Sequence, residues 1–201
     1  MALDQSNTLR CRRDAVSFSN GMGSVHDTFD QLRGRLEAAG IHYVVIGAIG
    51  MDGLGYARPT TDIDICVRPA DFRRFEAELV GSAYERVPGT QRRFRDPASD
   101  VTFDLFPSGE LAGRVPRNKE IRFPDPDEAA AIRGVPTVSL ERMIELKLVT
   151  WRTKDSADVI ELMGRNNLGE EFAYRLHTTI QMAYWECYDK RRDEDRHERE
   201  A

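Results

Sequence analysis

Apolar residues in the first half of the chain follow two spacings, one typical of helices and one typical of strands. Between Val25 and Leu36 they recur at steps of three and four, which predicts an amphipathic helix that Gly40 ends. The run 41–47 (IHYVVIG) is short and rich in β-branched residues, which predicts a buried strand. A stretch punctuated by glycines, 48–59, follows it.

The next segments repeat this alternation between strand and helix. Residues 61–67 (TDIDICV) alternate and predict a second strand, and 71–80 has the spacing of a helix. Further strands are expected between residues 83 and 123, and the clearest is 100–106, where Val101, Phe103 and Leu105 share one face.

The C-terminal third of the chain has helical spacing throughout. Ser139 is the expected N-cap of a helix that ends near residue 151, and a second helix is expected over 154–163, ended by Gly164. A third helix is predicted from a further apolar stripe: Phe172, Leu176, Ile180, Tyr184 and Cys187. From residue 189 onward almost every residue is charged, which predicts a fraying helix end or a tail.

This order of elements predicts an α+β domain with a helical C-terminal part. We expect a flexible leader over 1–23, an α/β core over 24–135, a helical part over 136–188 and a charged tail over 189–201. A length of 201 residues suits one such domain.

Composition and charge restrict the possible partners. With 40% apolar and 31% charged residues, the chain is typical of a soluble globular protein. A net charge of −5 argues against strong general binding to nucleic acid. Basic residues in 91–95 and 114–122 could still form a rim for an acceptor, although a solvated face is the more common role of such a run.

The cysteines and the apolar runs bear on the compartment. Cys11, Cys66 and Cys187 are far apart and form no C-x-x-C pair, so neither a disulfide framework nor a zinc site is expected. No apolar run approaches the ~20 residues of a membrane-spanning helix, and no secretory signal is recognisable. We therefore predict a cytoplasmic protein without membrane association.

Three aspartates are the first candidates for chemistry. Asp62 and Asp64 are two residues apart on a predicted strand and leave the same face, ~7 Å apart at their Cα atoms. Asp104 lies on another strand, and the three carboxylates converge if the strands are neighbours. Two such charges ~4 Å apart repel by ~4 kcal/mol at an effective dielectric of ~20, whereas Mg²⁺ would turn repulsion into binding. Taken alone, a D-x-D pair is more often two exposed acids at a strand end.

The glycine segment before this strand adds a second signal. Gly47 and Ala48 end a buried strand where a helix is expected to begin, so backbone N–H groups are available to an anion. Glycine also lets a phosphate approach the main chain. A simple tight turn is the alternative for this segment. A phosphate cradle and metal ligands would here be close along the chain.

These residues resemble the signature of the polymerase-β-like nucleotidyltransferase superfamily, a Gly-Gly or Gly-Ser pair followed, after roughly a dozen residues, by D-x-D. Residues 47–65 read GAIGMDGLGYARPTTDIDI. The match is closer to abortive-infection toxin-type families and related uncharacterised families, and the positions on their pattern are Gly47, Gly55, Arg58, Thr60, Asp62, Ile63 and Asp64. Residues 146–158 (LKLVTWRTKDSAD) are similar to the L-K-L-x-x-x-R-x-K-D-x-x-D segment of the same families.

The resemblance implies a nucleotidyltransferase-type mixed β-sheet flanked by helices. It implies that Asp62, Asp64 and Asp104 are catalytic and bind metal, with Asp104 also a possible general base. Two Mg²⁺ ions and an NTP substrate are expected. The predicted nucleotide-binding residues are Gly47, Ala48, Arg58, Thr61, Lys147 and Asp155.

Several of these roles have simple structural alternatives. Arg58 could contact phosphate or anchor its loop to an acid, and Lys147 could be a solvated residue at a helix edge. Asp155 could be a helix N-cap and Asp158 a surface acid. Two departures from the family pattern, Ala48 in place of Gly or Ser and Leu54 in place of His, leave room for a weakened or altered enzyme.

The leading hypothesis is a Mg²⁺-dependent enzyme that transfers a nucleoside monophosphate from NTP to an acceptor hydroxyl. The toxin-like spacing favours a protein or RNA acceptor, in a toxin–antitoxin or phage-defence system with a cognate antitoxin. One alternative is a non-catalytic module that binds a nucleotide or a partner, and another is a nucleotidyltransferase that modifies a small molecule such as an antibiotic. A phosphatase or glycosyltransferase with its own D-x-D ranks below these, because the apolar run ends well before Asp62.

Overall fold

The computed structural model describes residues 25–113, 120–150 and 152–200. The predicted leader, Cys11 and the basic residues at 114, 117 and 119 lie outside the described residues. Helix α1 is Val25–Ala38, and its apolar stripe is buried as the spacing predicted. Gly40 follows it with a φ of +64°, a conformation that favours glycine and stops the helix.

The first two strands and the helices beside them follow the sequence pattern closely. Strand β1 is Tyr43–Ile46, with all four residues buried, and helix α2, Gly47–Gly53, begins directly after it. Strand β2 is Asp62–Val67 and helix α3 is Pro69–Glu78, with a proline in its first turn. The loop 54–61 joins α2 to β2.

Five further strands complete a mixed sheet of seven within the described residues. They are β3 (Glu85–Arg86), β4 (Arg93–Arg95), β5 (Thr102–Pro107), β6 (Ala130–Ile132) and β7 (Val135–Thr137). The strand order is β3-β4-β5-β2-β1-β7-β6. β2 lies parallel to β5 and antiparallel to β1, and β1 lies parallel to β7. A 3₁₀ turn, Pro126–Glu128, precedes β6.

The C-terminal part differs from the sequence prediction in two places. Helix α4 is Leu140–Leu148, capped by Ser139 as expected, and α5 is Thr153–Arg165. Gly164 therefore lies inside α5 and does not end it. The predicted third helix is broken into two 3₁₀ turns, Glu170–Arg175 and Thr178–Ile180, before helix α6, Gln181–Glu200.

The break lies at residues 176 and 177. Leu176 takes an extended conformation yet stays buried, so the apolar stripe reaches the core without a continuous helix. The ring nitrogen of His177 accepts a hydrogen bond from the backbone N–H of Thr179 and caps the second turn. The charged segment from Asp189 continues α6 to Glu200, so of the two forms expected for it the structure contains the helix end.

Two hydrophobic clusters hold the elements on opposite faces of the sheet. One face packs on α1 and α3 through Ile63, Ile65, Phe103 and Leu105. The other packs on α4, α5 and α6, and Asp62, Asp64 and Asp104 alternate with the first set of residues and so lie on this second face. Among the described helices, none combines the length and apolar character that a bilayer crossing needs.

Candidate active site

The structure brings the three predicted acids together on one face of the sheet. Strands β2 and β5 are neighbours, Asp64 lies directly opposite Asp104, and Asp62 lies opposite Thr102. The alternation of the two strands turns their apolar residues to the other face, where they are buried. The clustering therefore follows from strand pairing in this register.

Asp64 has the most perturbed environment of the three acids. Burial, then the charges of Asp62 and Asp104, raise the pKa of Asp64 from 3.8 to about 7. Lys147 and Arg93 oppose this shift but do not cancel it. A carboxyl group held this way is poorly stabilised as an anion and would gain from a cation beside it.

Asp62 is oriented by a neighbour that sequence reasoning gave no role. The hydroxyl of Thr60 donates to Asp62 Oδ1 at 2.9 Å and accepts from the Asp62 backbone N–H at 3.4 Å. Thr61, which the sequence assigned to nucleotide binding, is exposed. Threonine commonly makes such bonds two residues along the chain, so the signal was present in the T-x-D spacing.

Asp104 is held by an arginine that the sequence treated only as part of a basic run. Arg93 on β4 lies opposite Asp104 and donates from Nε to Oδ1 at 3.0 Å and from Nη2 to Oδ2 at 2.5 Å. These bonds to Asp104 raise the pKa of Arg93. Within the described ranges no three acidic, histidine or cysteine side chains converge tightly enough to hold a metal ion by themselves.

Gly47 packs directly against Asp64 at the point where α2 begins. Its φ is +72°, and a Cβ placed on it would lie 2.2 Å from Asp64 Oδ2. Only glycine therefore fits between β1 and this carboxylate. Ala48, the departure from the family pattern, is 7% exposed and belongs to the hydrophobic cluster on this face.

A cavity of about 710 Å³ adjoins the acids and is large enough for a small ligand. Asp64 and Gly47 form part of its lining. Its other polar and charged lining residues are Arg92, Lys147, Thr150, Arg152 and Asp155. Its apolar wall includes Phe106 and Phe123, whose rings stack with centroids 4.5 Å apart.

Lys147 and Asp155 face each other in the wall of this cavity. Both are buried, and Lys147 Nζ donates to Asp155 Oδ1 at 3.3 Å. Burial would raise the pKa of Asp155, but hydrogen bonds from Arg152 and Thr150 and the charge of Lys147 outweigh it and lower the pKa. The solvated-edge interpretation of Lys147 is therefore wrong. Asp155 lies in the first turn of helix α5 and is not its N-cap, which is Arg152.

Half-buried Arg58 and buried Asp158 form a second pair next to this one. Arg58 donates to both carboxylate oxygens of Asp158, at 2.8 and 3.1 Å. Asp158 is 2% exposed, so the expectation of a surface acid is wrong. Of the two roles considered for Arg58, the structure contains the contact with an acid.

The sheet order, the parallel pair of acid-bearing strands and the flanking helices define a nucleotidyltransferase-type α+β fold. The solution structure of the antibiotic-resistance factor ANT(2'')-Ia matches with a TM-score of 0.51 and 17% identity, over 84% of this chain and 95% of that chain. At this level of identity the likeness concerns the fold.

Two crystal structures match with lower TM-scores, each 0.48. The lincosamide antibiotic adenylyltransferase LnuA, bound to lincomycin, is 17% identical over 70% of this chain and 97% of that chain. ANT(2'')-Ia in complex with adenylyl-2''-tobramycin is 21% identical over 80% and 99%. No family model matches the sequence, and no curated protein does. The closer likeness to toxin-type families remains a prediction.

Proposed function

We propose that this protein is a Mg²⁺-dependent nucleotidyltransferase that moves a nucleoside monophosphate from NTP to a hydroxyl group of a small molecule. The observation that carries the proposal is the register of β2 and β5, which puts Asp62, Asp64 and Asp104 on one face, where Asp64 lines a ligand-sized cavity. The nucleotidyltransferase-type fold agrees with it.

The acid cluster fits magnesium by the chemistry of its donors. Mg²⁺ prefers oxygen ligands and is usually held by one or two carboxylates together with water and substrate phosphates, so a closed protein cage is not required. Asp62 and Asp64 are the residues that would hold it, since Asp104 is engaged by Arg93. When bound, the ion would neutralise charge that develops on the phosphate oxygens.

The protein's own residues then have distinct tasks. Gly47 lets the triphosphate approach the main chain, and Lys147 supplies a cation in the cavity wall. Arg93 donates one hydrogen bond to each oxygen of Asp104, so each oxygen keeps a lone pair that can take the proton of the acceptor hydroxyl while the hydroxyl oxygen bonds to the α-phosphorus. The bond between the α-phosphorus and the bridging oxygen breaks, and pyrophosphate leaves. Atoms and charge balance without a further reactant.

We favour a small-molecule acceptor over the protein or RNA acceptor that the sequence spacing suggested. The cavity beside Asp64 has a volume in the range of small-molecule sites and a mixed lining of charged and stacked aromatic side chains. The fold neighbour with the higher TM-score is an antibiotic-resistance factor. A toxin–antitoxin role and a cognate antitoxin find no comparable support.

A transfer assay tests this proposal directly. The protein is incubated with Mg²⁺, each of the NTPs labelled at the α-phosphate, and separate acceptors: tobramycin, lincomycin, other small polyols, total RNA and extract protein. We expect label on a small molecule, lost in Asp64→Asn. Label on RNA or protein alone would overturn the acceptor class, and no label from any NTP on any acceptor would contradict the enzyme.

A second candidate function is nucleotide binding without transfer, and one observation favours it. Asp104, the proposed base, is held by both donors of Arg93. Calorimetry with MgATP and MgGTP separates the candidates: binding by a protein that labels no acceptor would support this second function.

A further inference from the structure

Asp158 joins two segments that are far apart in the sequence and that both belong to the proposed site. It accepts two hydrogen bonds from Arg58, 100 residues earlier, and one from Lys147 Nζ at 2.9 Å. The side chain of Asp158 is 4% exposed and that of Arg58 is 16% exposed. This acid is therefore a buried bridge between loop 54–61 and helix α4.

The Arg58 end of the bridge leads directly to the acid cluster. Arg58 also donates to the backbone carbonyl of Pro59 at 3.1 Å, and Thr60 next to it bonds to Asp62. Only three residues lie between Arg58 and Asp62, the first residue of β2. Asp158 fixes the position of Arg58, and the short segment that follows Arg58 in turn positions the carboxylate of Asp62.

The Lys147 end of the bridge leads to the cavity. Lys147 is shared between Asp155 and Asp158, and it lines the cavity together with Asp64. The paired acids fix the position of the ammonium group, because a buried lysine is stable only where its charge is compensated. Its charge acts on Asp64 from that position.

We propose that Asp158 is a positioning residue that holds loop 54–61 and Lys147 in one fixed relation, so that the carboxylates of β2 and the cation of the cavity wall stay in register. Its catalytic consequence rests on the proposed function. The bidentate geometry of Arg58 and Asp158 suits this task, since a guanidinium fork fixes direction as well as distance.

Hydrogen exchange measured by mass spectrometry tests the bridge without any substrate. Asp158→Asn and Arg58→Gln should each raise the exchange rate of peptides covering 55–62 by at least ~10-fold, because the loop loses its anchor. The variant that carries both substitutions should show an exchange rate close to that of either single variant. Asp71→Asn is the matched control: Asp71 is also a buried acid, paired with Arg74 on α3, and its loss should leave peptides 55–62 unchanged.

Kinetics with labelled NTP and the acceptor found in the transfer assay then test the positioning role. Asp158→Asn should lower kcat by ~10- to 100-fold with a smaller change in KM, since misplaced reacting groups cost rate more than binding. Arg58→Lys, which keeps the charge but loses the fork, should recover part of the rate. Asp71→Asn should lower the Tm with kcat unchanged.

The outcomes distinguish the Asp158 bridge from the proposed nucleotidyltransferase function. Unchanged exchange at 55–62 in both Arg58→Gln and Asp158→Asn would overturn the bridge, even for an active enzyme. Weaker MgATP binding in Arg58→Gln with unchanged loop exchange would show instead that Arg58 contacts phosphate. A wild-type protein that transfers nothing, with faster loop exchange in both variants, would refute the proposed function and leave the bridge in place. If Asp158→Asn does not fold, Arg58→Gln and Arg58→Lys carry the test.

Discussion

At the scale of single residues, Asp64 shows how a fold can hold a group in an unfavourable state. Its pKa is raised to about 7 by burial and by the charges of Asp62 and Asp104, so near neutral pH it is between its protonated and ionised forms. Raised pKa values of this kind are concentrated at functional sites, where a bound cation can stabilise the ionised carboxylate. The ionised form of Asp64 therefore destabilises the folded protein.

The first prediction concerns stability and pH in the presence of a chelator. Between about pH 4 and 7 the folded protein binds a proton at Asp64 that the unfolded chain releases, so its contribution to stability falls as the pH rises. Asp64→Asn cannot ionise, so it avoids this decrease in stability. It should raise the free energy of unfolding at pH 8 by about 1–3 kcal/mol relative to the wild type. Urea denaturation at several pH values measures it.

The variant and the wild type should be similarly stable near pH 4, where Asp64 is protonated in the folded protein. Asp30→Asn, which removes an exposed carboxylate on α1, is the control for the loss of one negative charge. A loss of stability at pH 8 in Asp64→Asn would contradict the assigned environment.

The second prediction concerns Gly47. Gly47→Ala forces a side chain into left-handed backbone and within 2.2 Å of Asp64 Oδ2, so it should cost more than about 2 kcal/mol of stability. Gly81→Ala is the matched control, because Gly81 also has a positive φ but no atom within 4 Å of the added Cβ. Equal losses in the two variants, measured by urea denaturation, would show that the clash is relieved.

At the scale of elements, strand β4 changes the site that β2 and β5 build. The two parallel strands align the acids, and the antiparallel β4 places Arg93 across from Asp104. The Arg93 guanidinium thus already neutralises one of the three carboxylates, that of Asp104. Arg93 on this inner strand thereby competes with any ion that the acids would share.

The third prediction follows from this competition. Arg93→Gln frees Asp104 and removes a positive charge, so Mn²⁺ should bind about 2- to 5-fold more tightly, a range that suits a partly exposed pair. Calorimetry with Mn²⁺ measures the change. Arg95→Gln, two residues along β4 and paired with Glu85, should leave Mn²⁺ affinity as it is. Weaker Mn²⁺ binding in Arg93→Gln would assign Arg93 a supporting role.

At the scale of the whole molecule, one hydrophobic cluster crosses the boundary that the sequence drew between a core and a helical part. It contains Val44 and Cys66 from the sheet together with Val159, Leu162 and Tyr184 from the C-terminal helices. The division at 135/136 remains a prediction about organisation. The packing indicates that the two parts depend on each other for stability.

The fourth prediction is a single cooperative unfolding transition. Leu162→Ala, at a fully buried position of α5, should lower the free energy of unfolding by about 2–5 kcal/mol and expose sheet and helix amides together. Hydrogen exchange of β2 and α5 in urea measures this, with Met182→Ala at an exposed position as the control. Separate transitions for β2 and α5 would contradict it.

The sequence by itself determined most of the elements, because their signals are local. Apolar spacing located α1, β1, β2, α3 and β5, and Ser139 marked the start of α4. The D-x-D spacing placed Asp62 and Asp64 on one face, since strand periodicity requires it. The prediction of one continuous third helix was wrong, because separate 3₁₀ turns can bury the same apolar stripe. No local sequence signal indicated the extended backbone at Leu176.

Only the tertiary structure decided which charges meet. Whether Asp104 joined Asp64 depended on β2 and β5 being neighbours, and its pairing with Arg93 depended on the register of a third strand. The contact of Arg58 with Asp158 spans 100 residues, so no sequence spacing encodes it. Local pattern sets the conformation and facing of each element, whereas burial and pairing between distant residues set the electrostatics of the site.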